Sequence, residues 1–282
     1  MKKIGFIDYY LDCWHPQNFI KNAKQYNENN GDCFEVCCAY AEIDSPSGVT
    51  TDAWCEKHGV ERAYSIKEVC DKSDFVIIFA PDNPEKHLPL AKEAFKYAKK
   101  VFIDKTFSAG YDDAVEMFRL AEEYGVDFFS CSSLRYDDGF KEYKGKASAI
   151  TVLGGGGEGH YFDDYLVHHL EIVMHCFGCG AKSVHYEKHA DQEIVKVEFT
   201  EDRVANVIFA PCLSFGAIIA DENGKSRLVP AESNFFYNQV CDILAFFNGE
   251  KLSFDTRETL ELAKIKAAAF KSRDEKIDTV TL

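Results

Sequence analysis

Residues 73–107, SDFVIIFAPDNPEKHLPLAKEAFKYAKKVFIDKTF, contain the pattern that decides the fold. Residues 75–80 form a continuous apolar run of strand length, and residues 101–103 form a second, shorter one. Between them two prolines break the chain, after which apolar residues recur at helical spacing. The stretch therefore predicts two parallel strands joined by a right-handed helical crossover. A ligand crevice is expected at the carboxyl ends of such strands, and Lys105 lies at one of them.

The rest of the first half alternates strand and helix signals in the same way. Strands are predicted at residues 3–8, 34–41 and 126–130, and helices at residues 16–27, 51–58, 66–72 and 112–124. This alternation predicts the α/β fold class, with an N-terminal Rossmann-like doubly wound parallel sheet over residues 1–130.

After residue 135 the pattern changes to runs of strand character that are not separated by helices. Strands are predicted at residues 147–153, 182–188, 193–200, 204–210 and 215–220, and helices at residues 161–177, 234–248 and 256–272. We therefore expect a second, α+β domain over residues 131–282 with a mostly antiparallel open sheet. Four consecutive glycines at residues 154–157 lack the Lys and Ser/Thr of a phosphate loop, and we interpret them as a bend or lid beside the substrate.

The composition argues against several classes of protein. The chain has 282 residues, of which 46% are hydrophobic, so it can form packed cores. Its net charge of −15 argues against nucleic acid or an anionic membrane surface as the main partner. Neither a signal peptide nor an apolar run of membrane-spanning length is evident, so a cytoplasmic protein is expected. The 11 cysteines are typical of buried side chains in a reducing compartment.

Four local patterns carry a resemblance to a known family. They are APDNPEKH at residues 80–87, IDKTF at 103–107, DYLVHHLE at 164–171 and a closing helical run at 247–275. In this order and spacing they resemble the Gfo/Idh/MocA family of nicotinamide-dependent oxidoreductases over nearly the whole chain. The first is similar to the family's loop with Asn-Pro and His after the fourth strand. The second is similar to its Glu-Lys-Pro segment, and the third to its Asp-x-Gly-x-His-x-x-Asp helix.

The N-terminal turn departs from the family pattern. The family opens with a strand and a Gly-x-Gly-x-x-Gly turn, whose missing side chains let the backbone approach the diphosphate. Here residues 4–19, IGFIDYYLDCWHPQNF, place Asp8 and Tyr10 at glycine positions. A carboxylate and an aromatic ring at these positions are expected to repel or obstruct a diphosphate, which leaves the mode of dinucleotide binding open.

The resemblance implies NAD as the cofactor, with NADP as the alternative. Glu42 or Asp44 follows the second strand, where an acidic side chain accepts from the adenosine ribose hydroxyls and disfavours a 2′-phosphate. The candidate cofactor-binding residues are Asp8, Tyr9, Tyr10, Glu42, Ala80, Pro81, Asn83, His87 and Asp104.

The resemblance also implies that Lys105 and His168 are catalytic residues that handle the substrate proton, with Asp164 assisting. A lysine in a partly dry crevice can hydrogen-bond an alcohol oxygen, and an imidazole titrates near working pH. Without the resemblance, both side chains are ordinary surface or half-buried residues. Asp164, His168, Glu171 and His175 also have the spacing of a metal-binding helix face. Since a second element with suitable ligands is not evident, no metal is predicted.

Candidate substrate-binding residues come from two segments. Arg135 and Tyr136 follow the sixth strand, where the chain enters the second domain, and an ion pair between domains is the alternative role for Arg135. Trp14 and His15 belong to a cluster of aromatic and acidic residues in the N-terminal turn. Such residues can stack on or hydrogen-bond a sugar or a nucleobase, or they can close a vacated cofactor site.

These features predict an NAD(P)-dependent oxidoreductase that transfers a hydride to or from a secondary hydroxyl of a sugar, polyol or similar small polar metabolite. Two alternatives remain open. One is a non-enzymatic binding or partner protein that has lost dinucleotide binding, and the other is an isomerase or lyase that uses tightly bound NAD. The expected partner is a small-molecule substrate. In the resembled family the exposed face of the second sheet commonly pairs subunits, so a homo-oligomer is expected.

Overall fold

The computed structural model describes residues 1–155, 161–211 and 213–282. The chain forms two compact units. The first contains residues 1–131 and 240–252, and the second contains residues 132–239 and 253–282. Nothing in the sequence pattern indicates that residues 240–252 pack with the first unit.

The first unit contains a six-stranded, all-parallel sheet in the order β3-β2-β1-β4-β5-β6. The strands are β1 Lys2–Asp8, β2 Phe34–Ala41, β3 Glu61–Arg62, β4 Phe75–Ile78, β5 Lys100–Ile103 and β6 Asp127–Ser130. The order reverses between β1 and β4, which makes the carboxyl ends of these two strands the switch point of the sheet. The predicted Rossmann-like sheet is confirmed.

Five helices connect these strands: α1 Trp14–Asn30, α2 Thr51–His58, α3 Ile66–Lys72, α4 His87–Ala94 and α5 Tyr111–Tyr124. Their ends follow local sequence signals. The Thr50 side chain accepts from the Ala53 N–H at the start of α2, and Gly59 ends that helix with a left-handed φ of 67°. A Cβ on Gly5 would lie 2.3 Å from Cγ1 of Val69, so glycine at this position lets α3 pack closely against β1.

The second unit contains a seven-stranded sheet in the order β12-β11-β7-β10-β9-β8-β13. Its strands are β7 Ala147–Gly154, β8 Ala181–His189, β9 Gln192–Phe199, β10 Val204–Phe209, β11 Gly216–Asp221, β12 Ser226–Pro230 and β13 Val280–Thr281. Only the β7–β10 pair is parallel among these described strands, which confirms the mostly antiparallel sheet. The helices α6 Phe162–Phe177 and α8 Arg257–Glu275 belong to this unit, and α7 Phe235–Phe247 begins in it.

The remaining differences from the predicted elements have local causes. The strand expected over residues 75–80 ends at Ile78, because Ala80 takes a positive φ of 78° and leaves the extended conformation. The strands β3, β12 and β13 were not predicted, since they are short or carry no apolar alternation. The short 3₁₀ helices Pro84–Lys86, Ser133–Tyr136 and Asp138–Tyr143 were also not predicted.

Two further expectations concern the glycine run and membrane-spanning segments. The bend or lid expected at residues 154–157 falls partly on residues 156–160, which lie outside the described residues. Among the described residues, no helix is both long and apolar enough to cross a membrane.

Candidate active site

The carboxyl ends of β1, β4 and β5 lie side by side in the first unit and carry most of the predicted cofactor residues. Asp8 is the last residue of β1, the loop from Ala80 to His87 follows β4, and Asp104 and Lys105 follow β5. Parallel strands direct their carboxyl ends to the same edge of a sheet, so these side chains gather without being close in sequence.

The Asp8 carboxyl group is buried in the N-terminal turn, with 1% of the residue exposed. It accepts a hydrogen bond of 2.7 Å from the Tyr9 N–H, and the N–H groups of Tyr10 and Ala80 also hydrogen-bond it. Burial raises the pKa of Asp8 well above its ordinary value, and the nearby Asp104 charge adds to this effect. The expected repulsion of a diphosphate by Asp8 therefore needs correction, because the side chain is buried and its charged form is disfavoured.

Replacement of Asp8 by asparagine is expected to raise stability at neutral pH. The folded-state pKa of Asp8 lies above its unfolded value, so its contribution to stability is present below the unfolded pKa and falls as pH rises toward the folded pKa. Asparagine is uncharged, so the difference in melting temperature between Asp8→Asn and the unmodified protein should grow as pH rises above the unfolded-state pKa of about 3.9. Thermal unfolding at several pH values measures this. A difference that shrinks with pH would contradict the buried, proton-binding carboxyl.

The loop after β4 is shaped by its backbone. Ala80 has a φ of 78°, a left-handed conformation that costs a non-glycine residue about 1 kcal/mol. The Asn83 N–H donates to the Ala80 carbonyl at 3.1 Å, and the Asn83 side-chain amide donates to Glu85 at 3.0 Å. The strained residue thereby directs its N–H at Asp8 while the loop turns back on itself.

His87 joins the loop after β4 to the loop after β5. It is fully buried, and its Nδ1 lies 2.7 Å from the Thr106 carbonyl oxygen while its Nε2 faces the Phe79 carbonyl oxygen. Burial lowers the pKa of the ring. A direct contact between His87 and the cofactor stays a prediction, and these hydrogen bonds support a role in positioning the two loops instead.

Lys105 directs its ammonium group into the loop after β4. Its side chain is 10% exposed, and Nζ donates to the Pro81 carbonyl at 3.2 Å. Asp82 Oδ1 lies 3.9 Å from the same Nζ atom. The Lys105–Thr106 peptide bond is cis. An ammonium group has three N–H donors, so the bond to Pro81 leaves donor capacity for an oxygen of a ligand.

Asp104 and His15 form a close pair at the same edge. Asp104 is 2% exposed, its Oδ1 accepts from the Lys105 N–H at 2.8 Å, and its Oδ2 lies 2.5 Å from His15 Nδ1. Burial tends to raise the pKa of Asp104, but the neighbouring His15 and Lys105 side chains and the hydrogen bond from the Lys105 N–H outweigh burial and lower it. Asp104 is therefore a buried, ionised acceptor. The neighbouring Trp14 is 57% exposed at the start of α1.

The two acidic candidates after β2 have different environments. Asp44 accepts from both the N–H and the hydroxyl of Thr51, which anchors the start of α2 and lowers the pKa of Asp44. Glu42 is exposed and pairs with Lys86 at 2.8 Å. The Lys86 ammonium also lies 4.3 Å from the centroid of the Tyr9 ring. Glu42 is thus the acidic side chain that a ribose could contact.

In the second unit, His168 is positioned by Ser132. Nδ1 of His168 lies 2.5 Å from the Ser132 hydroxyl oxygen. The backbone N–H of Ser132 donates to the Glu171 carboxylate at 2.9 Å. Asp164 lies one helical turn before His168, and it is exposed in the first turn of α6. The sequence analysis did not identify Ser132, although a polar residue directly after the sixth strand is the signal by which it could have been found.

Arg135 lies in a buried ion-pair network of the second unit. It is 2% exposed and donates to Glu171 at 2.6 Å and to Glu258 at 2.7 Å. The guanidinium also lies 4.1 Å from the centroid of the Phe254 ring. The sequence predicted that Arg135 contacts substrate or forms an ion pair between domains. It did not predict these two ion pairs within the second unit. The carbonyl of the neighbouring Tyr136 accepts from the side-chain amide of Asn238 at 3.0 Å.

The helix face with metal-binding spacing does not gather its side chains. Glu171 is bonded to Arg135, and burial lowers the pKa of His175 to about 4. Among the described residues, no group of three or more His, Cys, Asp or Glu side chains is arranged to hold a metal ion.

Comparison with known proteins gives a family match over part of the chain. Residues 18–131 match the sequence model of a family described as an oxidoreductase family with an NAD-binding Rossmann fold. This segment, which is less than half of the chain, is similar to the Gfo/Idh/MocA oxidoreductase family. The match begins after the N-terminal turn, so the turn itself is outside it. A comparison with curated proteins gives no match.

Solved structures share the fold over almost the whole chain. The probable dehydrogenase from Thermotoga maritima is 17% identical, covers 99% of this chain and 98% of its own, and has a TM-score of 0.75. The scyllo-inositol dehydrogenase from Lactobacillus casei, solved with bound NAD(H) and scyllo-inositol, is 14% identical with the same coverage and a TM-score of 0.75. The NAD-binding oxidoreductase from Klebsiella pneumoniae is 13% identical, covers 99% and 98%, and has a TM-score of 0.73.

The first unit has features that fit an NAD cofactor. The N-terminus of α1 has no side-chain cap and no acidic residue in its first turn, although the Asp104 carboxylate lies beside His15 of that turn. Pro16 removes one N–H from this turn, and the Asp8 carboxyl is buried. Glu42 presents a carboxylate at the end of β2. The helix end suits a diphosphate, and Glu42 suits the adenosine ribose.

Proposed function

We propose that this protein is an NAD-dependent oxidoreductase that acts on a secondary hydroxyl of a sugar, polyol or similar small polar metabolite. The observation that supports this proposal is the position of the Lys105 ammonium group. The buried Lys105 side chain holds this group at the carboxyl edge of the parallel sheet, beside the switch point where α/β sheets bind their ligands. NAD, when bound, accepts or returns the hydride.

The residues of this chain supply position and proton transfer. Lys105 donates a hydrogen bond to the alcohol oxygen, which stabilises the negative charge that develops when the hydroxyl proton leaves. Its bond to the Pro81 carbonyl holds the amine in one direction, so little rotamer freedom is lost when substrate binds. Following the family resemblance, we assign His168 to acid–base catalysis and Asp164 to an assisting role. The contact with Ser132 orients the His168 ring.

The substrate class rests on two observations. One similar structure is a scyllo-inositol dehydrogenase with its polyol bound. The exposed indole of Trp14, next to His15, gives the first unit an aromatic surface of the kind on which sugar rings pack. Cytoplasmic localisation and a homo-oligomeric state stay predictions.

Cofactor binding is the first test. Any nicotinamide nucleotide released on denaturation of the purified protein is quantified, and NAD and NADP in both redox states are then titrated by calorimetry. We expect NAD to bind more tightly than NADP, because Glu42 accepts from ribose hydroxyls and repels a 2′-phosphate. Binding of none of the four, with none released, would favour the non-enzymatic alternative. Released NAD with turnover that needs no added cofactor would favour the isomerase or lyase.

Turnover is then measured with a panel of polyols and sugars that includes scyllo-inositol and myo-inositol. The formation of reduced nicotinamide is followed by absorbance. NAD-dependent oxidation of at least one secondary alcohol is the expected result. A protein that binds NAD but oxidises no alcohol in the panel would contradict the proposed function.

A further inference from the structure

We propose that Lys86 limits how strongly this protein selects NAD over NADP, because its ammonium group offers a 2′-phosphate a positive partner beside Glu42. The proposal rests on the proposed function, since it concerns the cofactor of the same reaction. It adds a cation from the loop after β4 to a selection that the sequence pattern assigns to an acidic side chain after β2.

The backbone brings Glu42, Tyr9 and Lys86 together at the ends of three neighbouring strands. In the sheet, β1 lies between β2 and β4. The Glu42 N–H donates to the Asp8 carbonyl at 3.2 Å, and the Ile43 N–H donates to the Tyr9 carbonyl at 3.0 Å. The residues after β2 therefore lie against those at the end of β1, and Lys86 reaches them from the loop after β4.

The contacts of Lys86 fix a positive charge at this place. Nζ donates to Glu42 Oε2 at 2.8 Å and lies 4.3 Å from the centroid of the Tyr9 ring. The Lys86 and Glu42 side chains are each 30% exposed, so both charged groups can be reached from solvent. The hydrogen bond to Glu42 raises the pKa of Lys86, so the ammonium group stays charged at neutral pH.

The ion pair leaves both partners able to bind a nucleotide. An ammonium group has three N–H donors and a carboxylate has two acceptor oxygens, whereas the pair uses one donor and one oxygen. Glu42 can therefore accept from the ribose hydroxyls while Lys86 donates to a phosphate oxygen. A 2′-phosphate at this ribose is repelled by Glu42 and attracted by Lys86, so the two side chains act on it with opposite sign.

The other charged side chains near the end of β2 have different partners. Asp44 is bonded to the start of α2. The guanidinium of Arg62 on β3 lies 3.6 Å from Asp52, and its charge acts on Asp44. Lys86 is thus the cation that is in direct contact with Glu42.

The test compares the Kd values of NAD and NADP, measured by calorimetry on the full-length proteins, with the melting temperature as the check on folding. The variants are Lys86→Met, Lys86→Arg and Glu42→Gln. Lys92→Met is the matched control, since Lys92 is an exposed lysine of α4. The two nucleotides differ only in the 2′-phosphate, so the ratio of their Kd values separates this group from the diphosphate and the bases.

We expect Lys86→Met to raise the Kd of NADP by about 10-fold to 100-fold, because a charge-assisted hydrogen bond to the 2′-phosphate is lost. NAD should lose no affinity, since Glu42 remains and no longer has a competing partner. This widening of the ratio should shrink as the salt concentration rises from about 0.05 M to about 0.5 M. Lys86→Arg should keep the ratio within about threefold, since it keeps the charge.

Glu42→Gln should change the ratio in the opposite direction, toward NADP, because the repelling charge is removed while Lys86 remains. Lys92→Met should keep the ratio of the unmodified protein. A purely structural ion pair would hold the loops after β2 and β4 together for both nucleotides alike. An equal rise of both Kd values in a folded Lys86→Met protein would therefore overturn the proposal.

A second measurement uses the unmodified protein and does not depend on the folding of a variant. Acetylation of Lys86 by a water-soluble acetylating reagent is followed by mass spectrometry, with Lys92 as the internal reference. Saturating NADP should slow the reaction of Lys86 more than saturating NAD does. Equal protection by the two nucleotides would contradict the proposal, as would NADP binding too weak to measure beside measurable NAD binding.

The failure of this proposal is distinguishable from that of the proposed function. All of these measurements record binding, so a protein that oxidises no alcohol in the panel would contradict the proposed function while the Kd ratios still decide the role of Lys86. If the unmodified protein binds neither nucleotide, the cofactor assignment itself is wrong, and the role of Lys86 is overturned with it.

Discussion

Replacement of Glu171 by alanine is expected to lower the free energy of unfolding of the second unit by about 3–5 kcal/mol. Glu171 accepts from Arg135 at 2.6 Å and from the Ser132 N–H at 2.9 Å, and it is 2% exposed. Its removal leaves a buried guanidinium with one carboxylate fewer and a buried N–H without its acceptor. Both effects act in the same direction, because neither group regains water in the folded state.

Chemical denaturation with far-ultraviolet circular dichroism measures this loss. Glu171→Gln keeps the shape and a hydrogen-bond acceptor but removes the charge, so it should be destabilised less than Glu171→Ala. The matched control is Glu222→Ala, since Glu222 is an exposed glutamate of the same unit. If the free energy of unfolding of Glu171→Ala lay within about 1 kcal/mol of that of the control, the buried Arg135–Glu171 pair would contribute no more to stability than a surface ion pair.

Replacement of Glu171 by alanine is also expected to affect His168, because Ser132 contacts both residues. Ser132 donates its N–H to Glu171 and places its hydroxyl 2.5 Å from His168 Nδ1. Loss of the carboxylate should therefore disturb the orientation of His168 as well as stability. In the folded fraction of Glu171→Ala, a fall in kcat without a rise in the Kd for NAD would be the sign of this positioning effect.

Replacement of Lys105 by alanine is expected to lower kcat/KM by about 10²-fold to 10⁴-fold while the protein remains folded. The substitution removes the ammonium group that donates to the Pro81 carbonyl and, under the proposed function, to the alcohol oxygen. The loss should appear mainly in kcat, because the hydrogen bond strengthens as negative charge develops on that oxygen.

Steady-state kinetics with the alcohol identified in the panel measures this effect, and calorimetry with NAD separates catalysis from cofactor binding. Lys99→Ala is the matched control, since Lys99 is an exposed lysine directly before β5, at the opposite end of the strand. Lys105→Arg keeps the charge but not the point-like geometry of the amine, so it should recover only part of the activity. Full turnover by Lys105→Ala would end the assignment of this residue.

Much of the fold follows from local sequence. The apolar run at residues 75–80 and the helical spacing after it predicted β4 and α4, and the Thr50 and Gly59 signals agree with the observed ends of α2. These elements depend on side chains near in sequence, which periodicity and capping describe well. The same local information predicted Lys105 at a strand end, because strand ends can be read from composition.

The partners of the site residues depended on tertiary structure. The sequence placed Asp8 at a glycine position, but only the packed turn buries its carboxyl and directs the Ala80 N–H at it. The Thr51 contacts of Asp44 favour Glu42 over Asp44 as the predicted ribose acceptor.

The sequence by itself determined the two sheets, their order along the chain and the residues at the strand ends. The tertiary structure alone decided that Asp104 meets His15, that Arg135 meets Glu171 and Glu258, and that Ser132 meets His168. The physical reason is that each of these contacts joins residues from different elements. Burial, hydrogen-bond partners and charge are properties of the packed neighbours, which strand and helix periodicity does not encode.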